Sequence, residues 1–260
     1  MPTPAHDDEL LDRQGSAPAR GGAFAKVSDV RPEAPETWSE KTFLTFDTDW
    51  AHDAAIADTI DLVEEAGVAA TWFVTHDTPL LARLRENPLF EIGIHPNFNP
   101  LLAGEPRAGC GSADEVLDRM LELVPEATAI RSHCLVQGGR LFELFRRKGL
   151  THDCNAFLPE SSGMTLRPWV DWSGLIRVPY FWEDDFWCDT GRSSRFADLD
   201  TRPGVRGYDF HPIHVFLNTE ALCRYEDARA EFQDAEALRA RRYEGGDGTR
   251  DFLTTLLASR

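Results

Sequence analysis

The sequence predicts an α/β protein in which about seven parallel strands curl into a (β/α) barrel within a single domain. Three observations predict it. Short apolar runs, of strand length, alternate with segments of helical period. Most of these runs end in ionisable residues, which a parallel barrel would gather at one mouth. No GxGxxG turn follows the first run, which argues against an open dinucleotide-binding sheet.

The elements follow in chain order. Residues 1–38 are rich in Pro, Gly, Ala and charge without periodicity, and read as a flexible or loosely docked leader before a barrel domain at 39–260. Phe43 to Phe46 is the first strand. A helix follows from Asp53, with Ile56, Ile60 and Val63 on one face and Gly67 at its end. Residues 68–75 form the second strand and Pro79 opens a short helix. Residues 90–95 form the third strand. Ser112 caps the next helix, and Glu115 completes a capping box. Residues 127–133 form the fourth strand, a helix runs to Gly149, and residues 150–157 form the fifth. The stretch 156–207 is irregular and aromatic, with its strand at 175–182. The last strand is read across residues 208–218, with an Arg- and Glu-rich helix after it.

Composition narrows the function. A net charge of -17 over 260 residues argues against nucleic acid and anionic membrane surfaces as partners. No run is long enough to span a membrane. The first residues lack a basic start followed by an apolar core, so a cytoplasmic location is expected. Five cysteines without any CxxC fit reduced thiols.

The chemistry starts at "FLTFDTDW", where an apolar run ends in Asp47 and Asp49. If the strand reached that far, both carboxylates would share a face and repel by about 3 kcal/mol. A cation between them, or an arginine beside them, would offset that. The further strand ends carry His76 and Asp77, His95, Arg131 and His133, and His211 and His214. Arg131 is flanked by apolar residues, and a buried arginine requires a carboxylate, for which Asp47 is the natural choice. His133 shares a face with Arg131. His211 and His214 lie three apart across Pro212.

This ordered series resembles the polysaccharide deacetylase superfamily, also described as the NodB-homology domain or carbohydrate esterase family four, a distorted (β/α) barrel. Thr45-Phe46-Asp47-Thr48-Asp49 is similar to its TFDDG motif, Ala69 to Val74 to its KATFFV strand, and Glu91 to His95 to its EIGxH motif. Ile130 to His133 resembles FRxPYG, and Phe210-His211-Pro212 the late histidine motif. The likeness is strongest to a branch encoded in bacterial surface-polysaccharide clusters.

The resemblance implies metal-dependent removal of an N-acyl group, most simply N-acetyl, from an amino sugar. It implies Asp47 as base, Arg131 as its orienter and His211 as acid. It also implies one divalent ion, expected to be zinc, on Asp49, His95 and a third ligand. The motif's second histidine is replaced by Asn99, so the third ligand is either His133 or Asn99. His214 and His76 are secondary candidates, and backbone amides after Arg131 are candidate oxyanion donors. The aromatic stretch 178–189 either walls a sugar cleft or packs as core. The expected substrate is a small saccharide, or a nucleotide- or lipid-linked sugar, with Arg167, Arg177 and Arg192 available to line its site. The rival readings are another hydrolase or lyase on the same metal barrel, and a non-catalytic binding domain.

Overall fold

The computed structural model describes residues 23–105, 110–191 and 202–259. Ten strands are described: β1 (Phe24–Ala25), β2 (Thr42–Asp47), β3 (Ala70–Val74), β4 (Phe90–Ile94), β5 (Ala129–Ile130), β6 (His152–Asp153), β7 (Trp169–Val170), β8 (Ile176–Arg177), β9 (Trp182–Glu183) and β10 (Arg206–Phe210). They form one sheet in the order β7-β8-β6-β5-β4-β3-β2-β10-β9, with β1 added to β2, and every pairing but β7 with β8 is parallel. A parallel bridge between Phe157 and Tyr180 joins the chain after β6 to the chain before β9. The two limbs of the curled sheet meet there, and the expected distorted barrel is the result.

Apolar pattern explains the elements. All six residues of β2 are buried, as are all five of β3 and of β10, because one side faces the barrel interior and the other the helices. Helix α1 (Asp53–Ala66) buries Ile56, Ile60 and Val63 and ends at Gly67 in the left-handed region at φ 65°. Helices α2 (Leu80–Glu86), α3 (Asn99–Leu102), α4 (Ala113–Leu123) and α5 (Gly139–Arg147) follow the next strands. Ser112 caps α4 by accepting from the Glu115 amide. At Gly93 in β4, a Cβ would come within 2.7 Å of the Phe73 ring and 2.9 Å of the Ala129 carbonyl. The residue is glycine because the barrel is narrow there.

The structure narrows one expectation about the ends of the chain and changes another. Residues 1–22, most of the expected leader, lie outside the described residues. The rest of it is docked: Phe24 and Ala25 pair with β2, and Val27, Val30 and Trp38 are buried. The last strand stops at Phe210. Pro212 opens helix α7 (Pro212–Leu217), since a proline at the first helical position costs no hydrogen bond, and α6 (Asp184–Asp189) precedes it in the chain. The aromatic stretch 178–189 packs mainly as core, where Tyr180, Phe181, Trp182 and Trp187 are buried and Trp182 stacks on Phe252 at 4.4 Å.

Candidate active site

The strand ends deliver their polar groups to one mouth, although the first pair arrives by a different route from the one expected. Strand β2 ends at Asp47, and the chain then turns. Asp49 and Trp50 both hold positive φ, 39° and 55°. Two consecutive left-handed residues without glycine store about 1–3 kcal/mol each. A hub of hydroxyls holds this turn. Thr75 Oγ1 lies 2.9 Å from Thr48 Oγ1 and 2.8 Å from His76 Nδ1, and accepts the Trp50 amide at 3.0 Å. His76 therefore braces the turn. Burial lowers its pKa, which favours the neutral ring that this hub can use as an acceptor.

Asp49, His95 and His133 meet above the turn. Asp49 Oδ1 lies 3.2 Å from His95 Nε2 and 3.2 Å from His133 Nδ1, and those two nitrogens are 3.3 Å apart. Despite these distances, Asp49 Oδ1 is buried with no hydrogen bond of acceptable geometry. Nearly equal edges of this length match one face of a tetrahedron whose vertices stand 2.0–2.1 Å from a zinc-like ion, for which the edge is about 3.3 Å. One carboxylate and two imidazoles also form a donor set suited to zinc. Burial opposes ionisation of Asp49, yet the imidazoles of His133 and His95 hold its carboxyl well below the usual range. Asn99 opens α3 with its amide donating to Asn97 Oδ1, and the three donor atoms converge without it.

Beneath this triangle lies a buried ionic web. Arg131 Nη1 donates to Asp47 Oδ1 at 2.9 Å and also to Asp209 Oδ1, and its Nη2 donates to Thr45 Oγ1 at 3.0 Å. The guanidinium lies between the rings of Phe73 and Tyr180, with centroids 4.6 and 4.3 Å away. Burial, with the Asp47 charge adding to it, pushes the Asp209 carboxyl up to about 8 against the pull of Arg131. At neutral pH Asp209 holds its proton, so one arginine charge faces one carboxylate charge, that of Asp47. The second oxygen of Asp47 faces His95 Nδ1 at 3.4 Å.

His211 stands on the far side, its Nε2 3.7 Å from Asp49 Oδ2. Its Nδ1 meets Asp184 Oδ1 at 2.7 Å, and its amide donates to Asp184 Oδ2 at 2.8 Å. Burial alone would lower the His211 pKa, but the fully buried Asp184 carboxylate and then Asp49 raise it well above the ordinary value. His214 turns away: its Nδ1 is 3.1 Å from Thr219 Oγ1 and its ring packs on Tyr225 at 4.8 Å.

Sequence reasoning missed Asp184 and Asp209. The signal for Asp209 was its place two residues before His211 on a buried strand, where an unpaired carboxylate is costly. Asp184 had none beyond the acidic pair 184–185 in an aromatic stretch. The expected oxyanion amides are engaged instead: Ser132 N–H donates to Asn155 Oδ1 at 2.8 Å and His133 N–H to the Pro96 carbonyl at 3.0 Å. Arg177 is occupied by Asp153 at 2.7 Å, Arg167 is exposed, and Arg192 lies outside the described residues.

Residues 44–229 match the family model for WbmS-like polysaccharide deacetylases. The chain belongs to that family. Among solved structures, this chain is 48% identical to a Bordetella bronchiseptica protein described as a candidate polysaccharide deacetylase involved in O-antigen biosynthesis. That alignment covers 92% of this chain and 98% of the other, with a TM-score of 0.86. A candidate polysaccharide deacetylase from Mycobacterium smegmatis is 14% identical, with 98% and 88% of the two chains covered and a TM-score of 0.42. A family 4 carbohydrate esterase from Bacillus anthracis is 16% identical, with 84% and 83% covered and a TM-score of 0.31. No match to this chain was found among curated proteins. Among its described residues, no helix is long and apolar enough to cross a membrane.

Proposed function

We propose that this deacetylase removes an N-acetyl group from an amino sugar during assembly of a bacterial surface polysaccharide, with a divalent ion on Asp49, His95 and His133. The observation that carries the reading is the near-equilateral triangle of Asp49 Oδ1, His95 Nε2 and His133 Nδ1, set beside the buried Asp47–Arg131 pair. Three protein ligands is the number that catalytic zinc sites use, with one position left open. The relative involved in O-antigen biosynthesis supports the pathway class.

A divalent ion held there, zinc by the donor set, would polarise the acyl oxygen and lower the pKa of water towards about 7. Asp47, fixed by Arg131, takes the proton of the attacking water. Thr45 and Asp209 hold Arg131 in turn, so the base cannot swing away. His211, kept protonated by Asp184, gives its proton to the sugar nitrogen as the C–N bond breaks. Acetate and a free amine result.

Such an enzyme acts on a small saccharide or a nucleotide- or lipid-linked sugar in the cytoplasm, and not on an insoluble polymer. The acidic composition disfavours anionic polymers, and nucleotide-linked sugars too unless arginines line the site, while five free cysteines fit a reducing compartment. The test is to incubate metal-loaded protein with short N-acetylated sugars, nucleotide-linked sugars and insoluble chitin, and to assay acetate and amine together. Equal release of both from the soluble sugars is expected. Turnover without acetate would instead indicate a lyase or phosphoester activity, and binding without turnover a non-catalytic domain.

A further inference from the structure

We propose that Trp50 and the cleft it opens onto form the subsite for the sugar ring, and that this subsite selects an uncharged N-acetylated pyranose over a sugar presented phosphate-first. The inference rests on the deacetylase reading and adds where the substrate lies and what it is. Four observations carry it.

Trp50 keeps 41% of its surface exposed. Trp169 and Trp172 are exposed as well, while Trp38, Trp72, Trp182 and Trp187 are buried, so what distinguishes Trp50 is its place beside His133. Its position is also strained, since the backbone is left-handed and a single hydroxyl, Thr75 Oγ1, fixes its amide at 3.0 Å. Strain that neither buries the ring nor closes a hairpin is characteristic of ligand clamps. The indole meets the proposed metal ligand His133 edge-on, with centroids 5.1 Å apart. A group stacked on the indole is thereby within reach of the reacting centre.

The fourth observation is the cleft itself. A cavity of about 600 Å³ runs from Trp50 and His95 to α4, a size usual for small-molecule sites. Its apolar wall includes Leu101 and Met120, and its polar groups include Asn97, Asp77, Glu122 and Arg119. Among the described residues that line it, two carboxylates stand against one guanidinium, a poor seat for a pyrophosphate. The face of an indole carries negative potential, which attracts the polarised C–H bonds on the face of a pyranose. The ring then lies on Trp50, its hydroxyls meet Asn97 and the charged groups, and its acyl group turns to His95. A nucleotide or lipid carrier, where there is one, extends away from this cleft.

The experiment uses zinc-loaded full-length protein with isotope-labelled indoles. N-acetylglucosamine, N-acetylgalactosamine and N,N′-diacetylchitobiose are added in turn, and the Trp50 indole resonance is assigned by its loss in Trp50→Phe. At least one of these sugars should shift that resonance, and inorganic pyrophosphate should not compete. In kinetics with the same sugar, Trp50→Ala should raise KM by about tenfold or more and leave kcat within about threefold. Trp50→Phe should recover most of the loss, and both variants should keep wild-type zinc content and melting temperature. Acetate release by Trp50→Ala at the wild-type KM would overturn the subsite and leave deacetylation standing. A shifted resonance with no acetate from any substrate would keep the subsite and overturn the deacetylase reading. A resonance unmoved by all three sugars, or moved by pyrophosphate, would overturn the subsite.

Discussion

Arg131 donates through one nitrogen to Asp47 Oδ1 at 2.9 Å, and neither residue is more than 4% exposed. The same nitrogen also serves Asp209, which stays protonated. Breaking the charged pair should therefore cost far more than altering the neutral partner. Arg131→Met is expected to lose about 3–5 kcal/mol of stability in urea unfolding, because the Asp47 charge is left buried and alone. Asp209→Asn swaps one neutral group for another of similar shape and should cost about 1 kcal/mol or less when compared below about pH 4, where the wild-type carboxyl is neutral in both states.

The same residue sets a pH dependence. The Asp209 carboxyl ionises near 3.8 in an unfolded chain and at about 8 in the fold, so the folded state binds the extra proton between those values. Its contribution is complete below about 4 and is lost as pH rises to about 8. Wild-type stability should show that loss, with a slope of up to about 1.4 kcal/mol per pH unit, and Asp209→Asn should remove it. A variant whose pH profile of stability overlays that of the wild type would assign the protonated group elsewhere.

Asp47 faces two partners, and Asp47→Asn separates their consequences. As the base, it should be replaceable by Asn with metal content intact and turnover down by about 10²-fold or more. The rival role, for which the 3.4 Å approach of its second oxygen to His95 Nδ1 leaves room, is that of a carboxylate orienting a metal ligand. In that case metal affinity would fall by about 10–100-fold, which equilibrium dialysis reads directly.

The third-ligand question has a direct test. Asp49→Ala, His95→Ala and His133→Ala should each abolish stoichiometric metal binding, while Asn99→Ala should retain it. Metal analysis of the four proteins after dialysis decides between them. Retention by His133→Ala with loss in Asn99→Ala would reverse the assignment.

How legible all this was in the sequence depended on how locally each feature is encoded. The Asp47–Arg131 pair could be read across 84 residues because a buried guanidinium needs a carboxylate wherever the chain supplies one. The strand ends were legible for the same reason that the fold was, since each apolar run stops at polar residues. The joint turn of Asp49 and Trp50 was not, because Asp only occasionally adopts the left-handed conformation and nothing local marks it at a tryptophan. Asp184 was hidden because its partner His211 is 27 residues away and the stretch between them has no regular pattern. The helix at Pro212 was signalled by the proline, but apolar residues on both sides outweighed it in a reading by strand pattern.

The most direct measurement of the central claim is a zinc titration of chelator-stripped protein, following acetate release from a short N-acetylated sugar. Activity should rise linearly and level off at about one zinc per chain, with Asp49→Ala, His95→Ala and His133→Ala flat throughout. Full acetate release by the stripped protein, or one equivalent of zinc bound with no acetate released from any N-acetylated saccharide, would contradict the account.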